Sequence, residues 1–199
     1  MNAPLRIAVA DDEADMREWF ERMLPTLGHQ VVSVAENGSE LVEHCRRLKP
    51  DVVITDIKMP DMDGIDAADT ICREQPVPII LVSAYHDPEL VKRAEADHVL
   101  AYLVKPIGKA ALGPAIALAV RRFEELQALR KEAADLRQAL ADRRVIEQAK
   151  GVLMKVTGID ERGAFRRLQE LASDKNQKLV DAAQAILGLE RALRPVEDK

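Results

Sequence analysis

Long apolar runs are missing from this chain: none approaches the roughly 20 residues that a membrane helix needs. The N-terminus lacks the basic, apolar, small-residue order of a secretion signal, so a cytoplasmic protein with no membrane partner is expected. Cysteine is scarce. Cys45 and Cys72 have no metal-ligand spacing and fall in apolar or amphipathic helical contexts, which predicts reduced, buried thiols rather than a bridge or a thiolate metal site. Glycine and proline are absent from 115–155 except for Gly151, which excludes tight turns there and leaves Ala, Leu, Arg, Glu and Gln, all good helix formers. No substrate-pocket signature is present beyond one acidic cluster, so an enzyme acting on an outside substrate is not expected.

What is present is a set of short β-branched runs that end in polar residues. Val52 to Ile54 reads as a strand buried on both faces, and it delivers Asp56 to its carboxyl end, just before the turn residues Pro60, Asp61, Asp63 and Gly64. Ile7 to Ala10 ends in Asp11 and Asp12, Ile79 to Val82 in Ser83, and Leu100 to Val104 in Lys105 and Pro106. In an open α/β sheet the carboxyl ends of the strands are where ligands bind. Three carboxylates at one sheet edge repel one another unless a hard cation holds them, and few carboxylates with several waters is how Mg²⁺ prefers to bind. A Mg²⁺ site is implied.

These motifs, taken in order, resemble the receiver domain of two-component response regulators: Asp11-Asp12, then Asp56 followed by Lys58-Met59-Pro60-Asp61-Met62-Asp63-Gly64, then Ser83-Ala84, then Tyr102 three residues before Lys105-Pro106. The match covers about the first 115 residues. The resemblance implies that Asp56 is the phosphoryl acceptor and that Asp11, Asp12, Asp56 and the backbone carbonyl of Lys58 surround Mg²⁺. It further implies that Ser83 bonds a phosphoryl oxygen, that Lys105 pairs with the phosphoryl group, and that Tyr102 is the switch aromatic that turns inward on activation. The only chemistry implied is a Mg²⁺-dependent self-phosphotransfer.

Between the strands, amphipathic helices are expected at Asp15 to Leu24, Gly38 to Leu48, Ile65 to Glu74 and Pro88 to Glu95, with a further strand at Val31 to Ala35. Five alternations of strand and helix predict an α/β fold, a (βα)5 doubly wound parallel sheet of flavodoxin-like type. Past Pro106 one long helix, or two nearly continuous ones, is expected. Leu126, Leu129, Ala133, Leu136 and Leu140 are spaced three, four, three, four, the seam of a short coiled coil. A parallel homodimer contact is the reading taken for that seam, although a helix packed on its own domain shows the same pattern. The expected organisation is a receiver over 1–115, a helical linker over 116–140 and a small three-helix all-α domain over 141–199. In that last domain Gly158 is expected to cap the first helix, Asp160 to open the second and Asn176 to open the third.

Residues 144–154, Arg-Val-Ile-Glu-Gln-Ala-Lys-Gly-Val-Leu-Met, with Ala164-Phe165-Arg166-Arg167-Leu168 and Lys178-Leu179-Val180-Asp181-Ala182-Ala183, resemble the ANTAR domain, the RNA-binding output module of antitermination regulators. The chain departs from members of that family in carrying Gln169 and Gln177, uncharged where arginine is frequent. Charge follows the division: residues 1–113 hold 12 Lys+Arg against 20 Asp+Glu, net −8, whereas 143–178 hold 9 against 5, net +4. Basic residues contact phosphates, so Arg144, Lys150, Arg166, Arg167 and Lys178 are the candidate RNA contacts. Phe165 and Leu168 are expected in the core, leaving no aromatic platform and base reading to Arg, polar side chains and backbone.

The function expected is that of a response regulator phosphorylated on Asp56 by a partner histidine kinase, dimerising, and binding RNA hairpins of a transcript leader to regulate termination. A receiver-linked protein-binding adaptor without nucleic-acid affinity stands as the alternative, followed by a DNA-binding response regulator, which calls for a recognition helix after a tight turn. A phosphatase with an aspartyl-phosphate intermediate normally has a second acid two residues after its nucleophile, where Lys58 stands here.

Overall fold

The β-branched runs bounded by turn residues become strands where their pattern places them. The structure is a computed structural model that describes residues 3–84 and 99–193. β1 (Arg6–Ala10), β2 (Gln30–Ala35), β3 (Val52–Asp56), β4 (Ile79–Ser83) and β5 (Val99–Val104) form one fully parallel sheet in the order β2-β1-β3-β4-β5. Winding reverses between β1 and β3, so the crevice outside their carboxyl ends is the topological switch point where doubly wound sheets bind ligands. Asp11, Asp12 and Asp56 stand at that point.

Helices α1 (Ala14–Thr26), α2 (Gly38–Leu48) and α3 (Gly64–Glu74) connect the strands. The helix expected at Pro88 to Glu95 lies outside the described residues. Alternation along each strand builds two apolar layers: Ala8, Ala10, Val53, Ile79 and Leu81 pack with α2 and α3, while Ile7, Val9, Val52, Ile54, Ile80 and Val82 pack with α1 and the helix that follows β5. Cys45 and Cys72 are both buried free thiols in the first layer, as their contexts predicted. Asn37 and Asp63 start α2 and α3 by accepting backbone N–H groups of the first turn, from Glu40 at 2.9 Å and from Asp66 at 2.8 Å.

The sequence after Pro106 forms one continuous helix, α4 (Lys109–Thr157), 49 residues long, rather than two. The chain divides into two units, residues 1–128 and 129–199. The second unit contains the end of α4 together with α5 (Glu161–Asp174) and α6 (Leu179–Leu193). Its core is small: Ala149, Leu168 and Ala183, with Val145, Ile146, Leu153, Leu179, Ile186 and Leu187 against them. Gly158, at φ +76°, closes α4, and Asp160 opens α5 by accepting the Gly163 N–H at 2.8 Å.

Asn176 does not open α6. It sits at φ +48° just past α5, where its N–H reaches the Ser173 carbonyl and the next N–H, of Gln177, reaches that of Ala172. That paired pattern ends a helix, and Asn tolerates the left-handed position it requires. The first turn of α6 is instead tied by the Asp181 carboxylate, which accepts the Lys178 N–H at 3.2 Å. Among the described residues no helix is long and apolar enough to cross a membrane.

Candidate functional site

Three strands deliver the charged groups of the crevice. Asp11 follows β1, Asp56 ends β3, and Lys105 directly follows β5, just before a cis bond to Pro106. The Lys105 Nζ donates to Asp56 Oδ2 at 3.1 Å, to Asp11 Oδ1 at 3.2 Å and to Glu13 Oε1 at 3.1 Å. Oxygens of Asp11, Asp12, Glu13 and Asp56 all lie within 4.8 Å of one another. Glu13 was not singled out from the sequence; the signal available was a third acid directly after Asp11-Asp12.

Burial sets the acidity of these groups. Asp11 is fully buried, and desolvation pushes its carboxyl above the ordinary range despite the hydrogen bond from Lys105. Asp56 is raised for the same reason, with the Lys105 charge opposing and the Asp11 charge adding. For Lys105, burial works to lower the pKa but is outweighed by the Asp11 hydrogen bond and the Asp56 charge, so the amine moves upward and stays an ammonium. Asp11 Oδ2 lies 2.9 Å from Nζ, yet no hydrogen bond reaches this buried oxygen. Four carboxylates whose oxygens converge within 4.8 Å, two of them on buried residues and met by a single ammonium, suit a hard divalent cation with oxygen ligands.

The backbone holds the loops tightly. Asp56 Oδ1 accepts the Ile57 N–H at 2.8 Å, and the Gly64 N–H bonds the Ile57 carbonyl at 2.9 Å. A side chain on Gly64 would collide with the Asp56 carbonyl, so this position admits only hydrogen. Arg17 donates to the carbonyls of Asp11 and Asp12, both at 2.9 Å, and to Glu36 at 2.7 Å, fixing the acidic loop; no local pattern announced it. Ser83 is buried at the end of β4, its carbonyl accepting the Lys105 N–H at 2.8 Å. Tyr102, half-buried on β5, packs on the α2 and α3 side of the sheet. Lys58 lies exposed in the loop between β3 and α3.

The basic candidates of the second unit divide. Arg144, Arg166, Arg167 and Lys178 are exposed, Arg167 within 3.1 Å of Glu170. Lys150 is only 7% exposed, and its Nζ donates to both oxygens of Glu147, at 3.0 and 2.9 Å, and to Glu161 at 2.7 Å. An ammonium has three donors. Three acceptors within the protein occupy them, so this geometry makes Lys150 a clasp between α4 and α5 rather than an outward phosphate contact. Leu168 is buried as expected, whereas Phe165 is 39% exposed. The expectation that Phe165 is core fails because the small apolar cluster is filled by alanines and Leu168.

Along the seam, Leu129, Leu136 and Leu140 are 62%, 63% and 55% exposed and Ala133 is exposed too. Leu126 differs: it is half-buried against the receiver-side core.

Comparison with known proteins agrees with both halves. The family profile described as response regulator receiver domain matches residues 7–117, and that of the ANTAR domain matches residues 134–187. The transcriptional regulatory protein PdtaR of Mycobacterium tuberculosis is 41% identical over 184 residues, spanning 92% of this chain and 90% of that protein. The signal receiver domain of NarL from Mycobacterium tuberculosis superimposes with a TM-score of 0.57 at 28% identity, over 60% of this chain and 98% of that one. A CheX-CheY-BeF3-Mg+2 complex from Borrelia burgdorferi gives a TM-score of 0.55 at 25% identity, over 57% of this chain and 87% of that one. With both regions matched in order and a relative similar along nearly its whole length, this chain belongs to the response regulators, as a receiver domain followed by an ANTAR output domain.

Proposed function

We propose that Asp56 accepts a phosphoryl group from a partner histidine kinase, and that this controls the binding of RNA hairpins by the output domain, regulating transcription termination. The observation that carries the first half is the position of Lys105 Nζ, 3.1 Å from Asp56 Oδ2 and bonded to Asp11 and Glu13 as well. In the transfer an Asp56 oxygen forms the new bond to phosphorus while the bond from phosphorus to the donor's imidazole nitrogen breaks, that nitrogen keeping the electron pair. Positioning and charge stabilisation do most of the work in such a step. Lys105, held as an ammonium, supplies a fixed positive charge and does not give up its proton. Asp11, Asp12, Asp56 and the Lys58 carbonyl would hold Mg²⁺, with Glu13 beside them. When bound, the ion neutralises charge on the phosphoryl oxygens. The comparison structure that contains BeF3 and Mg+2 supports this reading of the crevice.

Ser83 bonds a phosphoryl oxygen, and Tyr102, half-buried on the neighbouring strand two residues short of the Ser83 level, moves with it. Phosphorylation then favours a homodimer through Leu129, Ala133, Leu136 and Leu140, whose exposure in the single chain supports a second helix covering them. Residues 116–140 serve as the helical linker, and the division between the two units after Ala128 falls inside it. Two output domains on one dimer engage two RNA hairpins at a raised effective concentration. Arg144, Arg166, Arg167 and Lys178 are the phosphate contacts, whereas Lys150 has its donors occupied by Glu147 and Glu161.

The test is retention of small two-hairpin RNAs by the full-length protein at low and moderate salt, with and without beryllofluoride plus Mg²⁺. Binding that tightens with the phosphoryl mimic and weakens with salt is expected. Equal binding by Asp56→Ala and by the mimic-loaded wild type refutes the switch. Absence of retention in both states refutes the RNA output and leaves a protein-docking adaptor.

A further inference from the structure

The ammonium of Lys105 is fully committed. Its three N–H groups go to Asp56 Oδ2 at 3.1 Å, to Asp11 Oδ1 at 3.2 Å and to Glu13 Oε1 at 3.1 Å. A phosphoryl group on Asp56 brings three acceptor oxygens and about two negative charges into the same crevice. Each N–H that Lys105 turns toward it is taken from one of the three acids. Esterification neutralises Asp56 and releases the first. A second has to come from Asp11 or Glu13.

These two acids differ in what separation from the ammonium costs. Asp11 is fully buried, so its carboxylate would lose a neutralising charge where water cannot replace it. The Glu13 side chain is 62% exposed, and water hydrates it as soon as it turns away. Its backbone is anchored independently: the Glu13 N–H donates to Asp11 Oδ1 at 3.1 Å, and its carbonyl accepts the N–H groups of Met16 and Arg17 at 3.1 and 3.2 Å. The side chain takes no part in capping α1. It can therefore swing out without moving the acidic loop. Were it to stay, a carboxylate whose oxygen lies within 4.8 Å of an Asp56 oxygen would face the phosphoryl oxygens with like charge.

We infer that Glu13 is a gate on Lys105: it holds the ammonium in the unphosphorylated protein, competes with the phosphoryl group for it, and turns out to solvent when that group is in place. Glu13 acts through Lys105 and is a positioning residue. The inference rests on the reading of Asp56 as phosphoryl acceptor, and it adds the residue that sets how readily the crevice takes the phosphoryl group.

The probe is beryllofluoride, titrated into the full-length protein at saturating Mg²⁺ and followed by the fluorine resonance of the bound ion. The apparent dissociation constant contains the fraction of molecules whose ammonium is free. Glu13→Gln leaves only a neutral, weaker acceptor and is expected to tighten binding about 3- to 10-fold. Glu13→Asp keeps the charge, but its carboxylate falls about 1.5 Å short of Nζ, and it is expected to tighten binding by about twofold or more. A merely structural role would appear as weaker binding with a lowered unfolding midpoint, whereas release of a competitor strengthens binding. Wild-type or weaker affinity in Glu13→Gln overturns the gate. So does a gain in Glu13→Gln that is absent from Glu13→Asp, because charge alone would then explain it. No binding of beryllofluoride by the wild type overturns the phosphoacceptor reading itself.

Discussion

Replacing Lys105 with methionine is expected to slow phosphorylation of Asp56 and, at the same time, to tighten Mg²⁺ binding. Methionine keeps the length and apolar stem of the side chain and removes only the charge. The ammonium lies 3.1 Å from Asp56 Oδ2, 2.9 Å from Asp11 Oδ2 and 3.1 Å from Glu13 Oε1, and is mostly buried. At an effective dielectric constant near 20, a unit pair at such a separation interacts by about 5 kcal/mol. Only the part gained as the phosphoryl charge arrives accelerates the transfer. Taking about half to three-quarters of it, roughly 3–4 kcal/mol, gives a rate loss on the order of 10²- to 10³-fold. The metal responds in the opposite sense, because four carboxylates without their internal cation attract Mg²⁺ more strongly, and a dissociation constant lowered by about tenfold or more is expected. Phosphorylation from acetyl phosphate, followed on phosphate-affinity gels, measures the first effect and titration calorimetry the second. A merely loosened site would lose both activities. A slowing of less than about fivefold, or weaker Mg²⁺ binding, refutes the role assigned to the ammonium.

Asp56→Asn tests the electrostatic strain of the crevice. Burial raises the folded-state pKa of Asp56, so the folded protein binds that proton more tightly than the unfolded chain, and stability is lost as pH rises through the folded value. In chelator the variant should therefore melt higher than wild type near pH 7, with the gain shrinking toward about pH 4 as the wild-type carboxyl protonates; a gain that grows on acidification contradicts this. Gly64→Ala pushes a methyl group into the Asp56 carbonyl, a backbone atom with nowhere to move, and should cost about 1–3 kcal/mol in urea unfolding and at least tenfold in phosphorylation. Wild-type behaviour would show that the loop after β3 has slack. Leu129→Asp with Leu136→Asp alters exposed positions, so the monomer should fold normally while any dimer formed with beryllofluoride dissociates, each lost leucine contact removing about 1.5–3 kcal/mol. Sedimentation that still shows a dimer would move the interface elsewhere.

Much of the receiver was legible in one dimension because its determinants are local. Strand β3 is a β-branched run ended by turn residues, and the acid that matters follows within two positions of that run. The same holds for Asp11 after β1 and Lys105 after β5. That 115–155 is helical follows from its near lack of glycine and proline, but that α4 is one helix, running through Gly113, Pro114 and Gly151, did not, and the caps at Gly158 and Asp160 follow from what their side chains allow. Asn176 misled because Asn suits both a helix start and the left-handed residue after a helix. Which of the two it serves depends on the hydrogen bonds of the helix before it.

By itself, then, the sequence determined the elements, the order of the polar groups at strand ends, and the family they resemble, since each is written in neighbouring residues. The tertiary structure alone decided what those groups meet. Glu13 joins the crevice because Lys105, 92 positions away, comes within reach. Lys150 is consumed by Glu161 on another helix. Helical periodicity says that Phe165 and Leu168 lie near one another on α5, but not which of them the core has room for. Leu168 is fully buried with Ala149 and Ala183, whereas Phe165 stays outside that cluster and 39% exposed.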